Sequence, residues 1–190
     1  QRANVPPWTP TQGQCNIKFT FYNKTNSNAT GLLVCRTANT FGCGTSPTNV
    51  PNVRWQNVPT TTQSIQMGAP LVEGEIYTIE LNVEPDNCYG VRNGVNYPAT
   101  APGPFEPLDI NTFGGSAAAA YMNVAIWDIE LTDLLTPSNS RFYPCNEGAG
   151  SVLRCYEADR VTPKPAGDAT ILGYVNDSNW QPIAVNAPTE

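Results

Sequence analysis

The sequence predicts an all-β chain folded as an antiparallel sandwich, and three observations carry that prediction. Residues 16–22 and 75–84 alternate apolar and polar side chains with the period of two that a half-buried strand requires. Turn-forming residues punctuate the chain, with 18 Pro and 15 Gly in 190 residues. The apolar period of a helix is almost nowhere sustained.

Taken in order, residues 1–14 contain Pro6, Pro7 and Pro10, which no helix tolerates together, so they read as an extended, polyproline-like arm. In residues 16–22, Ile17, Phe19 and Phe21 face one way while Lys18 and Thr20 face the other. Residues 31–36 form a short apolar strand beyond a polar tip, and the two strands are expected to pair as a hairpin. Residues 52–58, around Trp55, and 61–67 are further short strands. The clearest strand is 75–84, with Tyr77, Ile79, Leu81 and Val83 on one face and Thr78, Glu80, Asn82 and Glu84 on the other.

Residues 89–115 are rich in Gly, Pro and Asn, and are long for a plain connection, so they read as a packed or binding loop. Four alanines at 117–120 allow at most one helical turn or an Ala-rich strand. Residues 121–131 form a long strand with Ala125, Trp127, Ile129 and Leu131 on one face, which puts Trp127 in the core. A turn of helix is expected at 132–135, short strands at 151–157 and 170–175, and a closing hairpin strand at 181–185.

Roughly eight to ten short strands joined by long loops make an immunoglobulin-like or jelly-roll-like sandwich. The expected organisation is an arm at 1–14, a core domain at 15–162 and a C-terminal hairpin or arm at 163–190, set off by Pro163 and Pro165. The run Ile171-Leu172-Gly173-Tyr174-Val175-Asn176-Asp177, followed by Gln181-Pro182-Ile183, resembles the opening hairpin of prealbumin-like sandwich modules. That resemblance covers one hairpin and implies a sandwich, not a function.

Composition narrows the chemistry. Charged residues make up 14% of the chain, against about 25% in an average soluble protein. The formal net charge is −6, with ten Lys and Arg, so no basic stripe is available for nucleic acid. The absence of His removes Ser–His and Cys–His nucleophiles and histidine metal sites. No apolar run approaches the roughly 18 residues that span a bilayer, so no membrane insertion is expected.

The six cysteines, Cys15, Cys35, Cys43, Cys88, Cys145 and Cys155, read as a disulfide framework in a secreted protein. Several connectivities remain open. Turn-like segments favour local bridges Cys35–Cys43 and Cys145–Cys155, leaving Cys15 for Cys88. The chain begins at Gln1, consistent with a removed leader. Sequons at Asn23, Asn28 and Asn176 mark expected N-glycan acceptors on exposed loops.

Catalysis is left with carboxylate pairs, as in an acidic-residue glycoside hydrolase, or with Ser/Lys nucleophiles. Glu80 with Glu84, and Asp128 with Glu130, each share a strand face, but charges on a wet strand face are ordinary solvation. No cofactor and no enzymatic role are expected. Oxygens at 176–179 suggest calcium only weakly, since the glycine and bidentate glutamate of a calcium loop are missing. Tyr89, Asn93, Asn96 and Tyr97 form the candidate sugar-contact loop of a lectin-like alternative.

The favoured reading uses the two arms. Val5 and Trp8 at one end, and Trp180, Ile183 and Val185 at the other, are apolar anchors on Pro-stiffened segments. Such arms suit strand addition to another copy, giving a head-to-tail filament or matrix. The expectation is a secreted, glycosylated structural or adhesive subunit at the cell surface or in the extracellular matrix, with itself and covalent glycans as partners.

Overall fold

The computed structural model describes residues 2–24, 31–35, 41–45, 49–57, 61–99, 109–114, 124–147 and 150–172. Among them the chain forms fourteen strands and no α-helix. They are β1 (Arg2–Trp8), β2 (Cys15–Asn23), β3 (Gly31–Cys35), β4 (Phe41–Thr45), β5 (Pro51–Asn57), β6 (Thr61–Gln66) and β7 (Ile76–Val83). Then follow β8 (Tyr89–Arg92), β9 (Val95–Pro98), β10 (Ile110–Phe113), β11 (Val124–Asp133), β12 (Arg141–Tyr143), β13 (Val152–Leu153) and β14 (Ala169–Leu172).

Eight strands form one sheet in the order β13-β14-β1-β10-β3-β4-β5-β6, and six form the other in the order β12-β11-β2-β7-β8-β9. The pairings are antiparallel, as the sequence predicted. One core lies between the sheets. The smaller sheet gives it Ile17, Phe19, Phe21, Ile79, Leu81, Ile129 and Leu131; the larger gives Val5, Trp8, Val34, Val53, Ile110 and Phe113. The alternation in β2 is complete: every odd position from Cys15 to Asn23 is buried and every even one is partly exposed. Phe113 and Tyr143 cross this core edge to face, with ring centroids 5.0 Å apart.

Several expectations are corrected. β3 does not pair with β2; it lies in the other sheet, between β10 and β4. A sandwich core needs both sheets, so the chain crosses over where a hairpin was expected. The stretch expected as one long loop holds β8, β9 and β10. Here Asn93 and Gly94, with φ of 48° and 81°, make the two-residue turn between β8 and β9.

Trp127 is also misplaced by simple alternation. It pairs with Thr20, whereas Glu130 pairs with Lys18, so β11 carries one residue more than β2 over this stretch. Asp128, at φ 50°, takes up the extra residue as a bulge. Ile129 and Leu131 still face the core, but Trp127 turns to the outer face beside Thr20 and is only partly buried.

Candidate functional site

The N-terminal strand and its seat are held by a connected set of side-chain hydrogen bonds. Residues 2–8, expected as part of an extended Pro-rich arm at 1–14, are strand β1 inside the larger sheet. Ala3 and Asn4 lie opposite Phe113 and Thr112 of β10 on one side, and opposite Ile171 and Thr170 of β14 on the other. Ala3, Val5 and Trp8 are buried, Trp8 completely. The two anchors foreseen in this arm, Val5 and Trp8, therefore fill the core of their own chain. Burial of an indole and two aliphatic side chains outweighs the missing donors of Pro6 and Pro7.

The prolines fall where the β1–β10 register slips, between Asn4 and Trp8. Their carbonyls are held by Arg141 of β12, with Nη1 donating to Pro6 O at 2.6 Å and Nη2 to Pro7 O at 3.2 Å. The Trp8 indole nitrogen donates to Asn139 O at 2.8 Å. After β1 the chain turns into β2 of the other sheet through Gln12 and Gly13, both left-handed with φ of 53° and 72°.

That connector is held by Asp133, the last residue of β11, which is buried. Its Oδ2 accepts from Thr11 N at 2.8 Å, Thr11 Oγ1 at 2.9 Å and Asn139 Nδ2 at 2.9 Å. Its Oδ1 accepts from Leu135 N at 3.0 Å and Thr136 N at 2.8 Å. Thr11 Oγ1 is also hydrogen-bonded to Thr136 Oγ1 at 2.8 Å, and Asn139 Nδ2 donates to Thr9 O at 3.0 Å. Burial opposes the charge on Asp133, but the donors from Asn139, Thr11 and Thr136 outweigh it and hold its carboxyl at about 2. Sequence reasoning missed this cluster. The D-x-x-T pattern at Asp133 signals a local Asx-type turn, but nothing local points to Thr11.

The sugar-contact candidates do not converge. Tyr89 opposes Pro98 and Gly90 opposes Tyr97, so Tyr89 and Tyr97 point to opposite faces of the β8–β9 hairpin. Tyr97 lies towards Gly68, and Asn93 Oδ1 accepts from Thr78 N at 2.8 Å. Asn96 is exposed on the edge strand β9.

The acidic pairs are engaged in structural contacts. Asn16 Nδ2 donates to Glu80 and Asn82 Nδ2 donates to Glu84, each at 2.7 Å. Glu130 is paired with Arg160 at 2.8 Å. Partial burial raises the Asp128 carboxyl; Arg160 and Lys18 oppose the rise and Glu130 adds to it. Among the described residues, no group of three or more acidic or cysteine side chains is placed to hold a metal ion. No helix there is long and apolar enough to cross a membrane.

Cys15, Cys88, Cys145 and Cys155 stand as thiols. Burial drives Cys15 far above its usual range, and the neighbouring Cys88 and Asp133 add to the shift. Burial pushes Cys88 up to about 12. Cys145 Sγ donates to Tyr143 O at 3.5 Å and Cys155 Sγ to Tyr156 O at 3.7 Å. Cys35 and Cys43 sit on paired strands one position out of register, since Cys35 opposes Gly42 and Cys43 opposes Val34.

Asn23 is completely buried at the end of β2, and its Nδ2 donates to Val72 O at 3.0 Å. A glycan attached through that nitrogen has no room in this fold, so the expected exposed acceptor is corrected at Asn23. Asn28, Asn176, Trp180, Ile183 and Val185 lie outside the described residues, as do the suggested calcium oxygens.

No family model matches the sequence, and no curated protein matches it. Solved structures do match in shape. The native heptameric SAP-like pentraxin from Limulus polyphemus aligns with a TM-score of 0.50 at 12% identity, covering 70% of this chain and 75% of that one. The galectin LEC-6 from Caenorhabditis elegans aligns with a TM-score of 0.39 at 12% identity, covering 69% of this chain and 95% of that one. What the chain shares with the pentraxin is the β-sandwich fold.

Proposed function

We propose that this chain is a secreted, disulfide-bonded glycoprotein that serves as an extracellular structural or adhesive subunit. In this reading it assembles head to tail by lending β1 to the β10–β14 seat of another copy. The observation that supports it is the placement of β1. Its ladder partners, Phe113 and Ile171, are remote in sequence, and β2, the strand that follows it, lies in the other sheet. A second copy offers the same seat and contacts, so exchange gains a link without new chemistry. Trp180, Ile183 and Val185 would supply a second attachment. Asn28 and Asn176 remain the glycan acceptors of this reading. An oxidising compartment would join Cys15 to Cys88 in this reading.

Electron microscopy and light scattering of the full chain and of residues 10–190 test the proposal. The full chain is expected to form linear polymers, and the shortened chain is not. A full chain that stays monomeric at every concentration, or a shortened chain that polymerises equally well, overturns it.

One observation favours a second reading as a sugar-binding module. Trp127 is turned outward opposite Thr20, giving a partly exposed ring on a polar sheet face. A glycan array with no ligand removes that reading.

A further inference from the structure

We infer that the Thr11–Asp133–Asn139 hydrogen-bond cluster is the catch that keeps β1 in its own sheet, and that opening it releases the strand to a second copy. The inference rests on the strand-donation reading above and adds its control point. Three observations carry it.

First, the catch grips mainly the connector, and it reaches the strand itself at the Trp8 Nε1–Asn139 O bond. Asp133 Oδ2 accepts from both the backbone and the hydroxyl of Thr11, and Asn139 Nδ2 bridges Asp133 Oδ2 to Thr9 O. These residues form the link through which β1 must pivot to leave the larger sheet while β2 stays in the smaller one. β2 itself is fixed by ladders to β7 and β11 along its full length.

Second, the grip is charge-assisted. A carboxylate that accepts from Thr11 twice holds the connector more firmly than neutral contacts do, because each such bond is about twice as strong. The left-handed Gln12 beside it is a strained conformation for a residue with a side chain. Strain held by a local hydrogen-bond cluster is relieved when the cluster opens, which biases the pivot towards release.

Third, the catch is separable from the seat. Asp133, Thr136 and Asn139 belong to the end of β11 and the turn after it, whereas the ladder partners of β1 are β10 and β14. The catch can therefore open while the acceptor seat stays intact for an incoming strand. Trp8 donates to Asn139 O, Arg141 holds the Pro6 and Pro7 carbonyls, and Lys164 Nζ, ahead of β14, donates to Ser138 O and Ser140 O beside the catch.

The test compares assembly rates, followed by light scattering, for the full chain, Thr11→Ala, Asp133→Asn, Asp128→Val and residues 10–190. Thr11→Ala removes only the connector's hydroxyl, so it keeps the test valid where Asp133→Asn folds poorly. Thr11→Ala and Asp133→Asn are each expected to assemble roughly tenfold faster than the full chain, the factor set by one charge-assisted hydrogen bond. Asp128→Val strains β11 away from the connector and is expected to leave the rate unchanged. If assembly requires residues 1–9 but Thr11→Ala matches the parent rate, the catch is wrong and strand donation stands. The catch also fails if Asp128→Val accelerates assembly as much as Thr11→Ala, because general destabilisation then explains the effect. If residues 10–190 assemble like the full chain, strand donation itself fails.

Discussion

The indole nitrogen of Trp8 donates to the carbonyl oxygen of Asn139 at 2.8 Å, tying β1 to the turn that follows β11. The ring is completely buried. Trp8→Ala is expected to lose about 3–5 kcal/mol of stability, the usual loss for emptying such a site. Trp8→Phe keeps most of the burial and leaves Asn139 O without its donor, at about 1–2 kcal/mol. Urea unfolding midpoints at unchanged slope measure both. A loss below about 1 kcal/mol for Trp8→Ala would show that β1 is not seated as described.

Asp133 makes stability fall with acid in a defined window. Its carboxyl is lowered from 3.8 to about 2 in the folded chain. A group with a depressed folded value stabilises above its unfolded value, and that contribution disappears as pH drops through the folded value. The difference in melting temperature between the parent and Asp133→Asn is therefore expected to be greatest above pH 4 and to shrink towards pH 2. A difference that stays constant across that range contradicts the assignment.

The bulge at Asp128 makes two substitutions at one exposed position differ in their cost. Its φ of 50° suits glycine and excludes a β-branched residue. Asp128→Gly is expected within about 0.5 kcal/mol of the parent, and Asp128→Val about 1–2 kcal/mol below it. Equal effects would mean that the bulge is elsewhere. Acrylamide should quench Trp127 and leave Trp8 untouched, which single-tryptophan variants resolve.

Two glycines differ in what a methyl group would strike. At Gly167 an added Cβ would lie 2.5 Å from Cys155 Sγ and 3.0 Å from Cys155 Cβ. Cys155 is buried and Tyr143 Oη donates to Gly167 O at 2.7 Å, so neither side yields easily. At Gly90 the nearest atom is Met67 Sδ at 2.8 Å, the end of a flexible chain. Gly167→Ala is expected to cost about 1–3 kcal/mol and Gly90→Ala less, as thermal unfolding will report. The reverse order contradicts this packing.

The strands legible in the sequence were those with one wet and one dry face. β2 and β7 alternate so regularly that their apolar buried residues could be named one by one, although Asn82, expected on the wet face of β7, is buried. β5 and β6 fell within a residue or two of their expected ends. Short strands such as β8, β9 and β10 were hidden, because four residues with Gly, Pro and Asn carry too little periodicity. Trp127 was misjudged because a period of two assumes an unbroken register, and one left-handed Asp reverses every side chain before it.

The sequence by itself determined the all-β class, the main core faces and the absence of any histidine chemistry. Those follow from local alternation and composition, which need no partner strand. Only the tertiary structure decided that Trp8 packs inside its own sheet, that Asn23 is buried and that Asp133 holds Thr11. Each of these depends on which distant segment arrives beside the residue. Strand pairing across a sandwich is fixed by the fit of whole faces, and no residue carries a local mark of its remote neighbour.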